Sequence, residues 1–223
     1  MVMKKVFWII LCMFFILPVI FAENMKLHYE RPAEYFEEAL VIGNGTMGAT
    51  LYGGVKKDKI SFNDITLWTG EPESENSSPD AFNAIPEIRA LLDNEDYQGA
   101  DKAQYKVQGH YSENYQPLGT LTIEYLDDTV GISDYHRWLD IGNATARTQY
   151  LKGGKLFTSD YFASAPDSVI VIRLKSENKE GIHALLSFDS PLPHSSQVAD
   201  NEISVEGYAA YHSFPVYYKA EDK

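Results

Sequence analysis

From Pro117 onward the chain alternates apolar and polar residues with a period of two. Leu121, Ile123 and Tyr125 are separated by Thr122 and Glu124, the signature of a strand with one face buried. Similar segments over 135–141, 144–151, 156–163, 169–175, 182–189 and 201–205 predict further strands. Lys152-Gly153-Gly154-Lys155 reads as a hairpin turn, and Asn178-Lys179-Glu180-Gly181 as another. Earlier in the chain, strands are predicted over 46–52 and 59–62, with Lys56-Lys57-Asp58 as the polar turn between them. Short strands at regular spacing, without intervening helices, predict an antiparallel sandwich.

Helical periodicity is confined to one region. Pro86 suits the first turn of a helix. Ile88, Leu91 and Leu92 then fall on one face at spacings of three and four. A second short helix is expected over 96–107, weakened by Gly99. Residues 71–84 read as a loop, and 25–38, with Arg31-Pro32, as an irregular lead-in. The fold class expected is mainly β: a large antiparallel β-sandwich, supersandwich-like, with one or two short helices. The aromatic run from Tyr208 to Tyr218 stops five residues before the last residue. This predicts a sandwich cut short at its C-terminal end, and hence a fragment or truncated product.

Gly43-x-Gly45-x-x-Gly48, with Asp64 about twenty residues on, fits the dinucleotide-binding fingerprint. That motif needs a helix opening at its third glycine, to meet the pyrophosphate. Ala49-Thr50-Leu51-Tyr52-Gly53-Gly54-Val55 follows instead, and adjacent glycines with β-formers make a poor helix. Nucleotide binding is rejected in favour of a tight turn between two strands.

The first 22 residues read as a signal peptide. Lys4 and Lys5 form the charged n-region, residues 6–21 the apolar h-region, and Ala22 the cleavage position. That apolar run is shorter than the about 20 residues a membrane span needs. Residues 23–223 then form the mature chain, expected as one domain. The only cysteine, Cys12, lies in the signal, so the mature chain has no disulfide and no thiolate ligand or nucleophile. Export without disulfides fits a bacterial envelope or secreted protein, periplasmic or extracellular. Removing Lys4 and Lys5 takes the formal charge from −13 to −15. Such a surface repels nucleic acid and anionic lipid, so no nucleic-acid partner is expected, and no membrane after signal cleavage.

A search for catalytic constellations returns little. Glu37-Glu38 and Asp127-Asp128 are adjacent, so in extended chain they face opposite ways. Glu71, Glu73 and Glu75 sit in a polar loop. His28, His110, His136, His183, His194 and His212 include no His-x-His and no i, i+4 pair; metal-ligand spacing is absent, and neither metal nor cofactor is expected. No nucleophile-elbow motif surrounds Ser195 or Ser196. Trp68 reads as a core residue or as part of a loop facing a partner.

The motifs occur in an order that resembles the N-terminal domain of glycoside hydrolase family 95, the α-L-fucosidase family. Tyr29-x-Arg31-Pro32-Ala33 precedes Glu38-Ala39-Leu40-Val41-Ile42-Gly43-Asn44-Gly45-x-x-Gly48-Ala49, followed by Tyr52-Gly53-Gly54-Val55 and Asn63-Asp64-x-Thr66-Leu67-Trp68-x-Gly70. Pro86-Glu87-Ile88-Arg89-x-Leu91-Leu92, Tyr115-Gln116-Pro117-Leu118-Gly119-x-Leu121, Arg137-x-Leu139-Asp140-x-x-x-Ala144 and Tyr161-Phe162-Ala163-Ser164-x-Pro166-Asp167 complete the series. The chain departs from the family at Val41, Thr46 and Asp64-Ile65, where proline, a basic residue and Glu-Asp are usual.

The resemblance implies a β-sandwich preceding an (α/α)6 barrel that carries catalysis. Hydrolysis there inverts configuration, which requires the general acid and base to stand roughly 6.5–9.5 Å apart. No catalytic residue is carried over to this chain. Asn44, Asn63, Asp64 and Trp68 are the candidates for substrate binding or for the domain interface. The partners implied are a helical catalytic barrel, on the same or a neighbouring polypeptide, and a fucosylated glycan. The alternatives are a free-standing carbohydrate-binding or adhesion module, and a non-functional gene fragment.

Overall fold

The computed structural model describes residues 25–71, 80–109, 113–127 and 130–213. The expected signal peptide, Glu73, Glu75, His110, Asp128 and the aromatic run beyond Ser213 lie outside them. The chain divides into two compact units: among the described residues, 25–65 with 118–191, and 66–117 with 192–213.

The first unit is the predicted sandwich. One sheet sets β1 (Lys26–Tyr29), β6 (Ile132–Asp140), β7 (Thr145–Lys152), β8 (Lys155–Ser164) and β9 (Val169–Ser176) side by side. The other sets β10 (Ala184–Asp189), β5 (Gly119–Tyr125), β4 (Lys57–Asp64), β3 (Met47–Leu51) and β2 (Leu40–Gly43). Every pairing is antiparallel. Alternation places Ile123 and Tyr125 of β5 against Tyr150, Phe157 and Tyr161 of the opposite sheet, with Leu40, Ile42, Leu51 and Ile60 completing the core. Each such side chain contributes on the order of 1.5–3 kcal/mol by leaving water.

Polar groups brace this core. Arg137 is only 1% exposed. Its Nε donates to the Arg31 carbonyl (2.7 Å) and its Nη1 to the Glu38 carbonyl (2.8 Å), while Tyr29 stacks 4.3 Å from the guanidinium. One side chain of β6 thereby pins the chain entering the sandwich, with Arg31 paired in turn to the Glu38 carboxylate. The lead-in is therefore not wholly irregular. β1 pairs with β6 although all four of its residues are exposed, so its strand character comes from the ladder and not from apolar alternation.

Asp58 corrects a second expectation. It does not lie in a turn: β4 opens at Lys57, and Asp58 is 1% exposed. Its carboxylate accepts from Gly54 N (2.9 Å) and from the Tyr161 hydroxyl (2.8 Å). Gly53 holds φ at +72°, and Tyr135 donates to its carbonyl at 2.6 Å. A Cβ on Gly54 would collide with the Lys57 carbonyl, so the glycine pair is dictated by packing. The Asn178–Gly181 turn leads from β9 in one sheet to β10 in the other; it is a corner between layers and not a hairpin.

In the second unit, α1 (Ala81–Asp93) starts five residues before Pro86, which lies inside the helix. The cost is one ladder bond near the N-terminal end. Ala84, Ile88 and Leu91 turn inward, whereas Leu92 is half exposed. The second predicted helix divides into α2 (Tyr97–Ala103) and a 3-10 turn (Gln104–Val107). Asp96 caps α2 by accepting from Gly99 N at 2.9 Å, and a Cβ on Gly99 would strike that carboxylate. β11 (His194–Ala199), which lacks an apolar pattern, pairs with β12 (Glu202–Gly207) as a two-stranded ribbon.

Candidate functional site

The glycine-rich segment forms the expected turn between strands, from β2 into β3, with Gly43 opposite Gly48 and Gly45 at φ +93°. Asn44 organises it. Its Oδ1 accepts from Thr46 N (3.0 Å) and Met47 N (2.8 Å), and its Nδ2 donates to the Ser164 carbonyl (2.9 Å). Asn63 stands opposite Gly48, and its Oδ1 accepts from Asp64 N at 3.0 Å. Asp64 pairs with Met47, and Ile65 N reaches the Thr46 carbonyl. Asn44, Asn63 and Asp64 are thus gathered at one end of a single sheet. Trp68 belongs to the other unit.

Trp68 does not fill a core there. It is 54% exposed, with its ring 5.9 Å from that of Tyr115, itself 44% exposed. The backbone fixes this pair. Thr69 N donates to the Asn114 carbonyl and Gln116 N to the Leu67 carbonyl, around a Trp68–Tyr115 bridge. A third segment closes the cluster: Gly70 N donates to the Tyr211 carbonyl at 2.6 Å. Gln116 is buried and exchanges two hydrogen bonds with the Ala210 peptide, Nε2 to carbonyl (3.2 Å) and N–H to Oε1 (3.3 Å).

Glu113 is the hub. Its Oε2 accepts from Ser213 N (2.8 Å) and Thr69 Oγ1 (2.8 Å), and His212 Nδ1 lies 2.9 Å from Oε1. The Ser213 amide, then His212 and Thr69, hold its pKa down to about 2. It stays a carboxylate at neutral pH and has no proton to give. Glu113 also takes a φ of +63°. Gly70 beside it has no Cβ, which leaves room for the Glu113 side chain. Sequence reasoning missed this residue. The Tyr115-Gln116-Pro117 motif next to it was the available signal, but a carboxylate hub needs partners about 100 residues away.

Asp58 is the acid whose pKa burial raises, against the hydrogen bonds from Gly54 and Tyr161 that lower it. Sealed in the core, it cannot meet a substrate. What the second unit offers to solvent is a hydrogen-bonded loop cluster presenting Trp68, Tyr115 and Tyr211, all more than two-fifths exposed. Such aromatics can stack on a sugar ring or be covered by a protein surface.

The model for "Glycosyl hydrolase family 65, N-terminal domain" matches residues 27–219. "Alpha-L-fucosidase 2" of Arabidopsis thaliana is 33% identical over 196 residues, covering 86% of this chain and 23% of that protein. "Probable alpha-fucosidase A" of Aspergillus niger is 28% identical over 169 residues, covering 71% and 21%. The protein of the same description from Aspergillus oryzae is 29% identical over 144 residues, covering 62% and 20%. The chain spans about a fifth to a quarter of the length of these curated relatives.

Proposed function

The chain belongs to the family of glycosyl hydrolase family 65 N-terminal domains, and from that premise we propose that it is the non-catalytic N-terminal domain of an exported α-L-fucosidase. Its catalytic partner is a helical barrel, on the same or a neighbouring polypeptide, and its substrate a fucosylated glycan. The observation that carries this reading is the coverage: 86% of the chain aligns with a fucosidase while accounting for 23% of it. The arrangement of the acids supports it. Asp58 is sealed in the core and Glu113 is held ionised by three partners, which fits a scaffold role. Export rests on the charged n-region and apolar h-region of the first 22 residues.

Asn44 and Asn63 act in this reading by shaping the turn at the sheet end, and Trp68 with Tyr115 by meeting the barrel. Release of L-fucose from a 2-linked fucosyl oligosaccharide tests it. The purified chain alone should give none, and turnover by it would overturn the assignment. Grafted in place of the matching segment of the Arabidopsis relative, the chain should restore folded, active enzyme. Loss of all activity in a correctly folded graft would also count against it.

The exposed Trp68–Tyr115 pair favours one second reading, a sugar-binding module acting alone. Glycan binding by the isolated chain that disappears in Trp68→Ala would support that module; binding unchanged in Trp68→Ala would remove this tryptophan as its platform.

A further inference from the structure

The outer face of the sheet formed by β1, β6 and β7 brings together side chains that are far apart in sequence. Tyr29 pairs with Arg137 and His28 with Trp138. Continuing that register sets Glu30 beside His136, on the face that His28 already shares, because side chains two apart point the same way. Across the next ladder His136 stands opposite Gln149. The β6–β7 register shifts between Ser133 and His136, and Asp134 takes a φ of +49°. This is a bulge, the device that re-aims a side chain within a sheet.

His28, Glu30 and His136 each place one ligand atom within 4.8 Å of the others. The two imidazole rings lie 5.2 Å apart, tilted by 30°. Nδ1 of His136 is buried and has no hydrogen-bond partner among the described residues, an arrangement that costs free energy unless something else engages it. A cavity of about 560 Å³ adjoins the cluster, lined by Lys26, His28, His136, Trp138 and Gln149. The one cation on that wall, Lys26, sits 3.5 Å from Asp140, so its charge is balanced locally.

We propose that His28, Glu30 and His136 form a binding site for a divalent transition-metal ion, Zn2+ being the best match. Two imidazoles and one carboxylate are a borderline donor set that suits Zn2+ and disfavours Mg2+ and Ca2+, which prefer oxygen ligands. Zn–N bonds of about 2.1 Å put neighbouring ligand atoms roughly 3.4 Å apart in a tetrahedron. His28 and Glu30 are exposed, so rotation of their side chains closes a gap of at most about 1.4 Å between those two values. Three protein ligands leave at least one coordination position, and the cavity shares two of the three ligands. The ion would also clamp β1, an edge strand paired only with β6, onto its sheet. This site is independent of the hydrolase reading.

Calorimetric titration of the purified chain with ZnCl2 tests the proposal, alongside ring-proton NMR of the histidines. One equivalent should bind, with the His28 and His136 resonances shifting first, and melting temperature should rise with Zn2+. His28→Ala removes an exposed side chain and leaves the fold intact. It should weaken binding at least ~10-fold, since even partners outside the coordination shell are worth about 10–100-fold. Glu30→Gln should weaken it less, and His183→Ala should leave it unchanged. Mg2+ should not compete. Affinity unaltered by His28→Ala, first shifts at other histidines, displacement by Mg2+, or no binding at ~1 mM Zn2+, weaker than about −4 kcal/mol, would each overturn the assignment.

Discussion

In the sandwich, Arg137 and Asp58 are enclosed by a cluster of eleven buried apolar side chains. In the second unit, the fully buried apolar residues among those described are Ala84, Ala100 and Ala103, accompanied by Thr69 and Gln116. Its large apolar groups face outward: Trp68, Phe82, Tyr97, Tyr105, Tyr115, Tyr208 and Tyr211 are all exposed. One unit derives its order from burying area. The other derives it from a carboxylate and a glutamine that bind backbone. A unit held by polar clamps, with its aromatics outside, is suited to being covered by something larger, whereas the sandwich buries its large apolar side chains between its own two sheets.

The largest expected effect lies in the sandwich. Arg137→Met keeps length and apolar volume but abandons the Arg31 and Glu38 carbonyls. About 3–5 kcal/mol of stability should be lost, since two carbonyls lose charge-assisted donors worth about 1.5–3 kcal/mol each. Urea unfolding measures it. A loss under about 1 kcal/mol would mean that the pinned lead-in is not a structural element.

Asp58→Leu should cost about 2–3 kcal/mol, because Gly54 N and the Tyr161 hydroxyl lose their acceptor. Asp58→Asn should cost less and should also change the pH profile. Burial raises the folded pKa of Asp58 above the 3.8 of the unfolded chain. The folded state therefore holds its proton longer, and this contribution to stability falls as pH rises from 3.8 through the folded value. In Asp58→Asn that part of the slope should vanish; a slope identical to wild type would show that the pKa of Asp58 is the same in the folded and the unfolded chain.

Glu113 tests the other half of the contrast with the opposite sign. Its folded pKa, about 2, lies below the ordinary 4.5. Its contribution is complete above pH 4.5 and is lost as pH falls from 4.5 towards 2. Trp68 and Trp138 are the tryptophans beyond the expected signal. Fluorescence of a Trp138→Phe protein therefore follows the second unit. The acid transition it reports should disappear in Glu113→Gln. Trp68→Ala should have the smallest effect on the chain by itself, under about 1 kcal/mol, since more than half of its surface is already in water. A larger loss would place Trp68 among the structural elements of the second unit, and weaken its reading as a surface for a partner.

The sandwich was legible because its strands bury one face. Leu121, Ile123 and Tyr125 announce β5 locally, and Gly153-Gly154 announces the β7–β8 hairpin. β1 and β11 were not legible, since every residue of both is exposed and only the neighbouring strand's backbone makes them strands. Pro86 signalled a helix correctly, but misplaced its start, because a proline is tolerated one turn inside when packing favours the longer helix.

The sequence alone determined which faces are apolar, where the chain turns, and the order of motifs that marks the family, since each is encoded within a few consecutive residues. Tertiary structure alone decided that Asp58 is sealed against Tyr161, 103 residues away, that Glu113 gathers Thr69, His212 and Ser213, and that His28 meets His136. Those groups act through distance and burial, and neither quantity exists until the sheets have closed, the ladders have fixed their register and distant loops of the second unit have met.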